Sequence, residues 1–212
     1  MSENETPLSP NPEFAVPATR ERLESVAEAL RRHGMRAMVA ANRDEAKQLV
    51  LEQLPDGAQV HQGASVTLDT IGVTEAIEQS GRYNAVRPKL YTLDRATQMD
   101  EIRRLGASPD FMLGSVHAVT DDGSLVVASA SGSQIGAYAS GAGQTILAVG
   151  SQKVVPDLMT ALRRIDEYTF PLEDERAQKA YGMHSAIHQL LVINGDYSGR
   201  ITVILIDEPL GF

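Results

Sequence analysis

The chain has 212 residues, with 28 Asp and Glu against 19 Lys and Arg for a formal charge of −9, and it contains no cysteine. Without thiols there is no disulfide framework, no Cys-ligated zinc, no thiol nucleophile and no conventional iron–sulfur cluster, so redox chemistry near this chain belongs to another component. An apolar fraction of 42% supports one domain with a sizeable core, while the acidic balance, 5% aromatics and zero Trp argue against nucleic acid as a partner.

No run approaches the ~20 consecutive apolar residues of a bilayer span. The N-terminus also lacks a basic stretch followed by an apolar one, so a cytoplasmic chain with no membrane association is expected. Residues 1–18 hold Pro7, Pro10, Pro12 and Pro17 with few large apolar groups. They read as a disordered or loosely attached tail ahead of a single domain over 19–212.

Thr19 is a plausible N-cap for a helix in which Leu23, Val26, Ala27 and Leu30 share one face and Gly34 closes the end. Met35–Ala41 reads as a strand. Asn42 with Glu45 makes a capping box for a helix through Leu54, stopped by Pro55-Asp56-Gly57. After a short strand at Ala58–His61, the Gly63-Ala-Ser-Val-Thr67 turn feeds one helix carrying Leu68, Ile71, Val73, Ala76 and Ile77 up to Gly81. Tyr83–Leu93 reads as loop plus a short strand, and Asp94 as the cap of a helix ending at Gly106.

Phe111–Thr120 and Leu125–Ala128 are β runs hinged at Asp121-Asp122-Gly123. A Gly- and Ser-rich stretch, 128–143, then leads to the strand Thr145–Val149 and a helix with Pro156 at its first position and Leu158, Ala161, Leu162 and Ile165 on one face. Leu190–Ile193 and Ile201–Ile206, joined by Asn194–Gly199, read as an antiparallel hairpin. The alternation of strands and helices predicts an α/β fold: a mainly parallel, Rossmann-like sheet with helices on both faces and that hairpin near the C-terminus. Ligands in such sheets bind at the carboxyl ends of the strands.

Three places there could hold an anion. In the Gly63–Thr67 turn, Gly63, Ser65 and Thr67 offer N–H and hydroxyl donors, with an ordinary helix cap as the competing explanation. Gly132, Ser133 and Gln134 could cradle a polar ligand, or serve close packing of a Gly/Ala helix. Lys153, directly after a buried strand, could meet an anion as a point charge, or lie in solvent. Neither the nucleophile elbow nor the dinucleotide fingerprint is present, because the serine follows Gly132 directly and Gly141-Ala-Gly143 precedes a strand. His184 and His188 have the i, i+4 spacing of a metal pair without the H-E-x-x-H glutamate, and solvated or capping roles fit them better. His117 reads as a hydrogen-bonded core histidine rather than a base, and Glu173-Asp174-Glu175 as a solvated helix start. No metal is expected.

Taken in order, Gly63-Ala-Ser-Val-Thr-Leu-Asp-Thr-Ile-Gly72, Ala118-Val-Thr-Asp-Asp-Gly-Ser-Leu-Val126, Gly132-Ser-Gln-Ile135, Val149-Gly-Ser-Gln-Lys-Val-Val-Pro156 and Gly199–Phe212 resemble the LUD-domain, LutC/YkgG-like lactate utilisation family, from about Arg20 onward. The resemblance implies the fold of ribose-phosphate isomerases, glucosamine-phosphate deaminases and CoA transferases. It also implies a non-redox subunit that supports oxidation of L-lactate to pyruvate beside iron–sulfur partner subunits, with no cofactor of its own and a small anionic metabolite as ligand. A homo-oligomer stays open.

By the same analogy Gly63–Thr67 is similar to the isomerases' phosphate turn, and Asp122-Gly123 to Ile135-Gly136 to a sugar-facing stretch of methylthioribose-phosphate isomerases. Two departures stand out. Gly132-Ser133-Gln134 replaces a Gly-Asn-Arg step of many LUD domains, and Gly114-Ser115-Val116-His117 has no carboxylate where the isomerases carry a catalytic acid. The alternatives are a stand-alone phosphosugar-isomerase-like or CoA-transferase-like enzyme, and a regulatory small-molecule binder.

Overall fold

The structure is a computed structural model that describes residues 9–212. In chain order its elements are α1 (Arg20–Arg32), β1 (Arg36–Ala40), α2 (Arg43–Leu51), β2 (Gln59–Gln62), α3 (Val66–Thr70), α4 (Val73–Gln79), β3 (Asn84–Ala85), α5 (Val86–Thr92) and α6 (Met99–Ala107). There follow β4 (Phe111–Gly114), β5 (Ala118–Thr120), β6 (Leu125–Ser129), β7 (Gln144–Gly150), β8 (Val154–Val155), α7 (Leu158–Arg164), α8 (Phe170–Tyr181), β9 (Gln189–Ile193) and β10 (Ile201–Ile206). Six strands form an all-parallel sheet in the order β1-β10-β7-β4-β2-β3, and four form a mixed sheet in the order β8-β5-β6-β9.

Strand β10 sits between β1 and β7 and is buried at every position, which is why its sequence is apolar almost throughout. Val203 and Leu205 face one core with Leu23, Val26 and Leu30 of α1 and Leu125 and Val127 of the small sheet. Ile204 and Ile206 face the other core with Val50, Leu68 and Ile77 from α2, α3 and α4. The far face of the small sheet, Val126 and Ala128, is covered by Ala161 of α7 and by Ile165. The caps act as the sequence suggests: Thr19 Oγ1 accepts from Arg22 N–H, and Asn42 Oδ1 from Asp44 and Glu45 N–H. Glu45, however, reaches back to Ala41 N–H rather than to its own cap residue.

Several expectations are corrected. Leu190–Ile193 and Ile201–Ile206 are not a hairpin: β9 pairs antiparallel with β6 in the small sheet, and β10 is parallel in the large one. The 194–200 connection crosses between the sheets, anchored where Asp196 N–H donates to His33 O and Asp196 Oδ2 accepts from Ile201 N–H. The 111–120 run is likewise shared, with β4 in the large sheet and β5 in the small one. The antiparallel hairpin of this fold is β5–β6, turned at Asp121–Gly123.

The single helix expected before Gly81 is two, broken at Gly72 with φ 71°. Residues 86–92 are helical, and α6 begins only at Met99 because Asp94 spends its carboxylate on Ala96 N–H and the Thr97 hydroxyl of a separate turn. Pro156 does not open α7 but precedes it: Asp157 caps the helix, accepting from Thr160 N–H, and Leu158 is the first helical residue. Of the expected tail, residues 1–8 lie outside the described residues. Residues 11–18 are docked rather than loose: Phe14 is buried, Asn11 Nδ2 donates to Glu167, and Ala18 N–H donates to Ser151 O.

Candidate functional site

Strands β2, β4, β7 and β10 are parallel neighbours, so their carboxyl ends share one edge. Onto it they deliver Gly63, Ser115, Ser151–Lys153 and residues 207–212. Because β4 belongs to the large sheet and β5 to the small one, the Ser115-Val116-His117 link crosses at that edge. There it meets the end of β6 at Ser129. A cavity of about 290 Å³ occupies this junction, close to the ~300 Å³ lower bound of small-molecule sites.

Lys153 forms part of its wall. Its side chain is 2% exposed, and Nζ donates to Thr67 Oγ1 at 3.1 Å, Ser115 Oγ at 3.1 Å and Val116 O at 3.2 Å. All three acceptors are neutral, and among the described residues no carboxylate lies within 4.0 Å of Nζ. Burial, and then the charge of Arg164, press the Lys153 ammonium well below its ordinary pKa.

Arg164 is buried behind the cavity. It donates to Gln152 O at 3.2 Å, to Thr169 Oγ1 at 3.0 Å and to His117 O, stacks 5.0 Å from the Tyr168 ring, and leaves Nη2 without a partner among the described residues. Burial lowers it to about 10. An acidic chain thus keeps two basic side chains at this junction, and among the described residues no carboxylate lies within 4.0 Å of either.

The remaining walls are hydroxyl-rich. Ser65 Oγ caps α3 by accepting from Leu68 N–H at 3.3 Å, so the capping explanation holds, and its own O–H stays free to turn. Gln134 lines the cavity with its amide spent on the turn: Oε1 accepts from Ser129 Oγ at 3.0 Å and Ser133 Oγ at 3.3 Å, and Nε2 donates to Ala128 O. His117 is half-buried on the wall, and Nδ1 accepts from Ala128 N–H at 3.0 Å, which puts the ring proton on Nε2. Burial and the charges of Lys153 and Arg164 hold it down at about 3, so the imidazole is neutral at pH 7. The Tyr138 hydroxyl donates to Ser115 O, and burial pushes its pKa up.

Of the residues singled out in the sequence, Gly63, Ser65, Thr67, Ser133, Gln134 and Lys153 line the cavity. Gly132 stands beside it: with φ 74° it turns the chain, its N–H held by Ser129 Oγ and its Cα face against the Gln189 amide. His184 and His188 share no helix face. His184 contacts Asp174 at 3.0 Å, His188 Nδ1 bonds Ala130 O, and the segment between them walls the cavity at Ser185–Ile187. Glu173, read as part of a solvated run, lines the rim in a two-point ion pair with Arg176 at 2.7 Å.

Sequence reasoning missed Ser115, Tyr138 and Arg164. Only Arg164 left a signal, falling three residues after Ala161 on the buried face of α7. Among the described residues no group of three or more His, Asp or Glu is placed to hold a metal, and no helix is long and apolar enough to cross a membrane.

A search of curated proteins finds no match to this chain. Among solved structures it is similar to a DUF162 family protein from Deinococcus radiodurans at 14% identity, with a TM-score of 0.55 over 90% of this chain and 99% of that one. The LUD domain profile matches residues 23–206. The chain belongs to the LUD domain family. In this LUD domain the profile spans from α1 to the end of β10, and so takes in the edge that carries Gly63, Ser115 and Lys153.

Proposed function

We propose that this LUD domain binds a small organic anion of the 2-hydroxy or 2-oxo acid class at Lys153. We propose further that it serves, LutC-like and in the cytoplasm, as the non-redox subunit of a system oxidising L-lactate to pyruvate. The observation that carries the reading is the buried Lys153 with three neutral partners and, among the described residues, no carboxylate within 4.0 Å: an ammonium so placed is short of one negative charge, which a carboxylate ligand supplies.

Family membership supports the link to lactate utilisation. The absence of cysteine supports leaving electron transfer to iron–sulfur partner subunits. An isomerase-type enzyme is less well served: the side-chain carboxylates on the wall are Asp69, held by the Thr74 hydroxyl at 2.6 Å, and Glu173, held by Arg176, and neither lies within 4.0 Å of Lys153 Nζ.

Thermal-shift measurements test this. L-lactate and pyruvate stabilise the wild-type chain more than phosphosugars or CoA esters do, and Lys153→Met abolishes the shift. Equal shifts in wild type and variant, or none in either, contradict the reading. Copurification with cluster-bearing proteins is expected, and turnover of a phosphosugar by the isolated chain would overturn the subunit role.

A further inference from the structure

We propose that Lys153 condenses with the carbonyl of a small 2-oxo acid and holds it in the crevice as a reversible imine. This rests on the anion reading above and adds a covalent step to it.

Of the four lysines, Lys47, Lys89, Lys153 and Lys179, only Lys153 is buried, and only Lys153 lines the cavity. Its partners suit an amine that changes protonation state. Val116 O accepts only, whereas the Thr67 and Ser115 hydroxyls both donate and accept. As an ammonium, Lys153 donates to all three. As a neutral amine it donates to Val116 O and one hydroxyl, while the other hydroxyl turns to meet the nitrogen lone pair. Among the described residues no carboxylate locks the charged form, and burial with Arg164 nearby favours the neutral one.

The step balances without an oxidant. The Nζ lone pair forms a bond to the 2-oxo carbon, and the carbonyl π pair moves to oxygen. That oxygen takes a proton from nitrogen by way of the Ser115 or Thr67 hydroxyl. The carbinolamine hydroxyl then takes one proton from solvent, relayed by the Ser115 hydroxyl, and leaves as water, while nitrogen keeps its remaining hydrogen and completes the C=N bond as a protonated imine. The acid's own carboxylate lies next to the protonated imine nitrogen and supplies the charge the pocket lacks. A 2-hydroxy acid has no carbonyl, so it pairs ionically and goes no further. The site therefore distinguishes the oxidised from the reduced acid by covalent chemistry.

The test is reductive trapping. The full chain is incubated with pyruvate and sodium cyanoborohydride, digested and mapped by mass spectrometry. One reduced pyruvyl adduct is expected, confined to Lys153, absent with L-lactate, lost in Lys153→Arg and unchanged in Lys47→Arg. Adducts spread over Lys47, Lys89 and Lys179 as on any exposed amine, or no adduct at all, overturn the imine. The wild-type map alone separates these outcomes, whether or not a variant folds. L-lactate stabilisation without an adduct leaves the anion reading standing and removes the imine. An adduct at Lys153 without any L-lactate shift supports the imine and removes the 2-hydroxy acid from the anion reading.

Discussion

Lys153 is held at a cost to the fold. Moving an ammonium out of water takes several kcal/mol, and two hydroxyls and a carbonyl return only part of it. Its position after a buried strand was legible in the sequence, as were the Ser65 and Thr67 hydroxyls. Its surroundings were not, because Ser115 and Tyr138 come from segments distant in sequence that only the topology brings together. Gly114 shows how tightly they are joined. A Cβ there would overlap the Tyr138 hydroxyl oxygen and fall 2.7 Å from the ring carbon bearing it. Gly114→Ala is expected to destabilise the domain by about 1–3 kcal/mol in urea unfolding. Tyr138→Phe in the same chain is expected to restore part of that loss, and an undiminished loss in the double variant would show that the hydroxyl is not what the methyl meets.

At the scale of elements, what the sequence revealed depended on how local the cause was. Helix α1 was readable because Thr19, the 23/26/27/30 stripe and Gly34 all lie within one short segment. Strand β10 was readable because continuous apolarity marks burial on both faces. Its partner was not: a turn-rich link between two β runs signals a hairpin, and nothing in Asn194–Gly199 says that its two ends belong to different sheets. The same ambiguity hid the break inside 111–120. That break matters more for function, since the crossing link carries Ser115 and His117 to the cavity. Helix α5 was missed because the pattern of Tyr83–Leu93 is mixed, with no clear apolar stripe; its Pro88 is tolerated because it sits in the first turn, where no intrahelical donor is needed. Arg164 was overlooked because an arginine on an apolar face reads as a surface residue until its acceptors, all beyond α7 itself, are in place.

For the whole molecule, the formal charge of −9 and the two basic side chains buried at the junction without a carboxylate partner among the described residues are two sides of one design. Acid should expose it. His61 is buried and lowered to about 4 by desolvation and Arg87, and His117 is lowered to about 3. Between the ordinary histidine pKa of 6.5 and these values the unfolded chain binds protons that the folded chain refuses. The stability these neutral rings contribute is therefore full above about pH 6.5 and declines as pH falls, by about 1–3 kcal/mol per ring. A melting temperature that falls steadily from pH 7 to pH 4.5 is expected, and one flat over that range would contradict the lowered pKa of both rings.

The same linkage bears on ligand binding. Burial holds Lys153 well below its ordinary pKa, so a carboxylate that pairs with the ammonium raises that pKa and draws in a proton at any pH where the amine is otherwise neutral. Titration calorimetry of L-lactate, in buffers of different ionisation enthalpy, measures this directly. Proton uptake on binding, affinity that weakens as pH rises, and loss of both in Lys153→Met are the predicted results. Binding without proton exchange, or binding retained in Lys153→Met, would contradict the assignment of Lys153 as the partner of the anion.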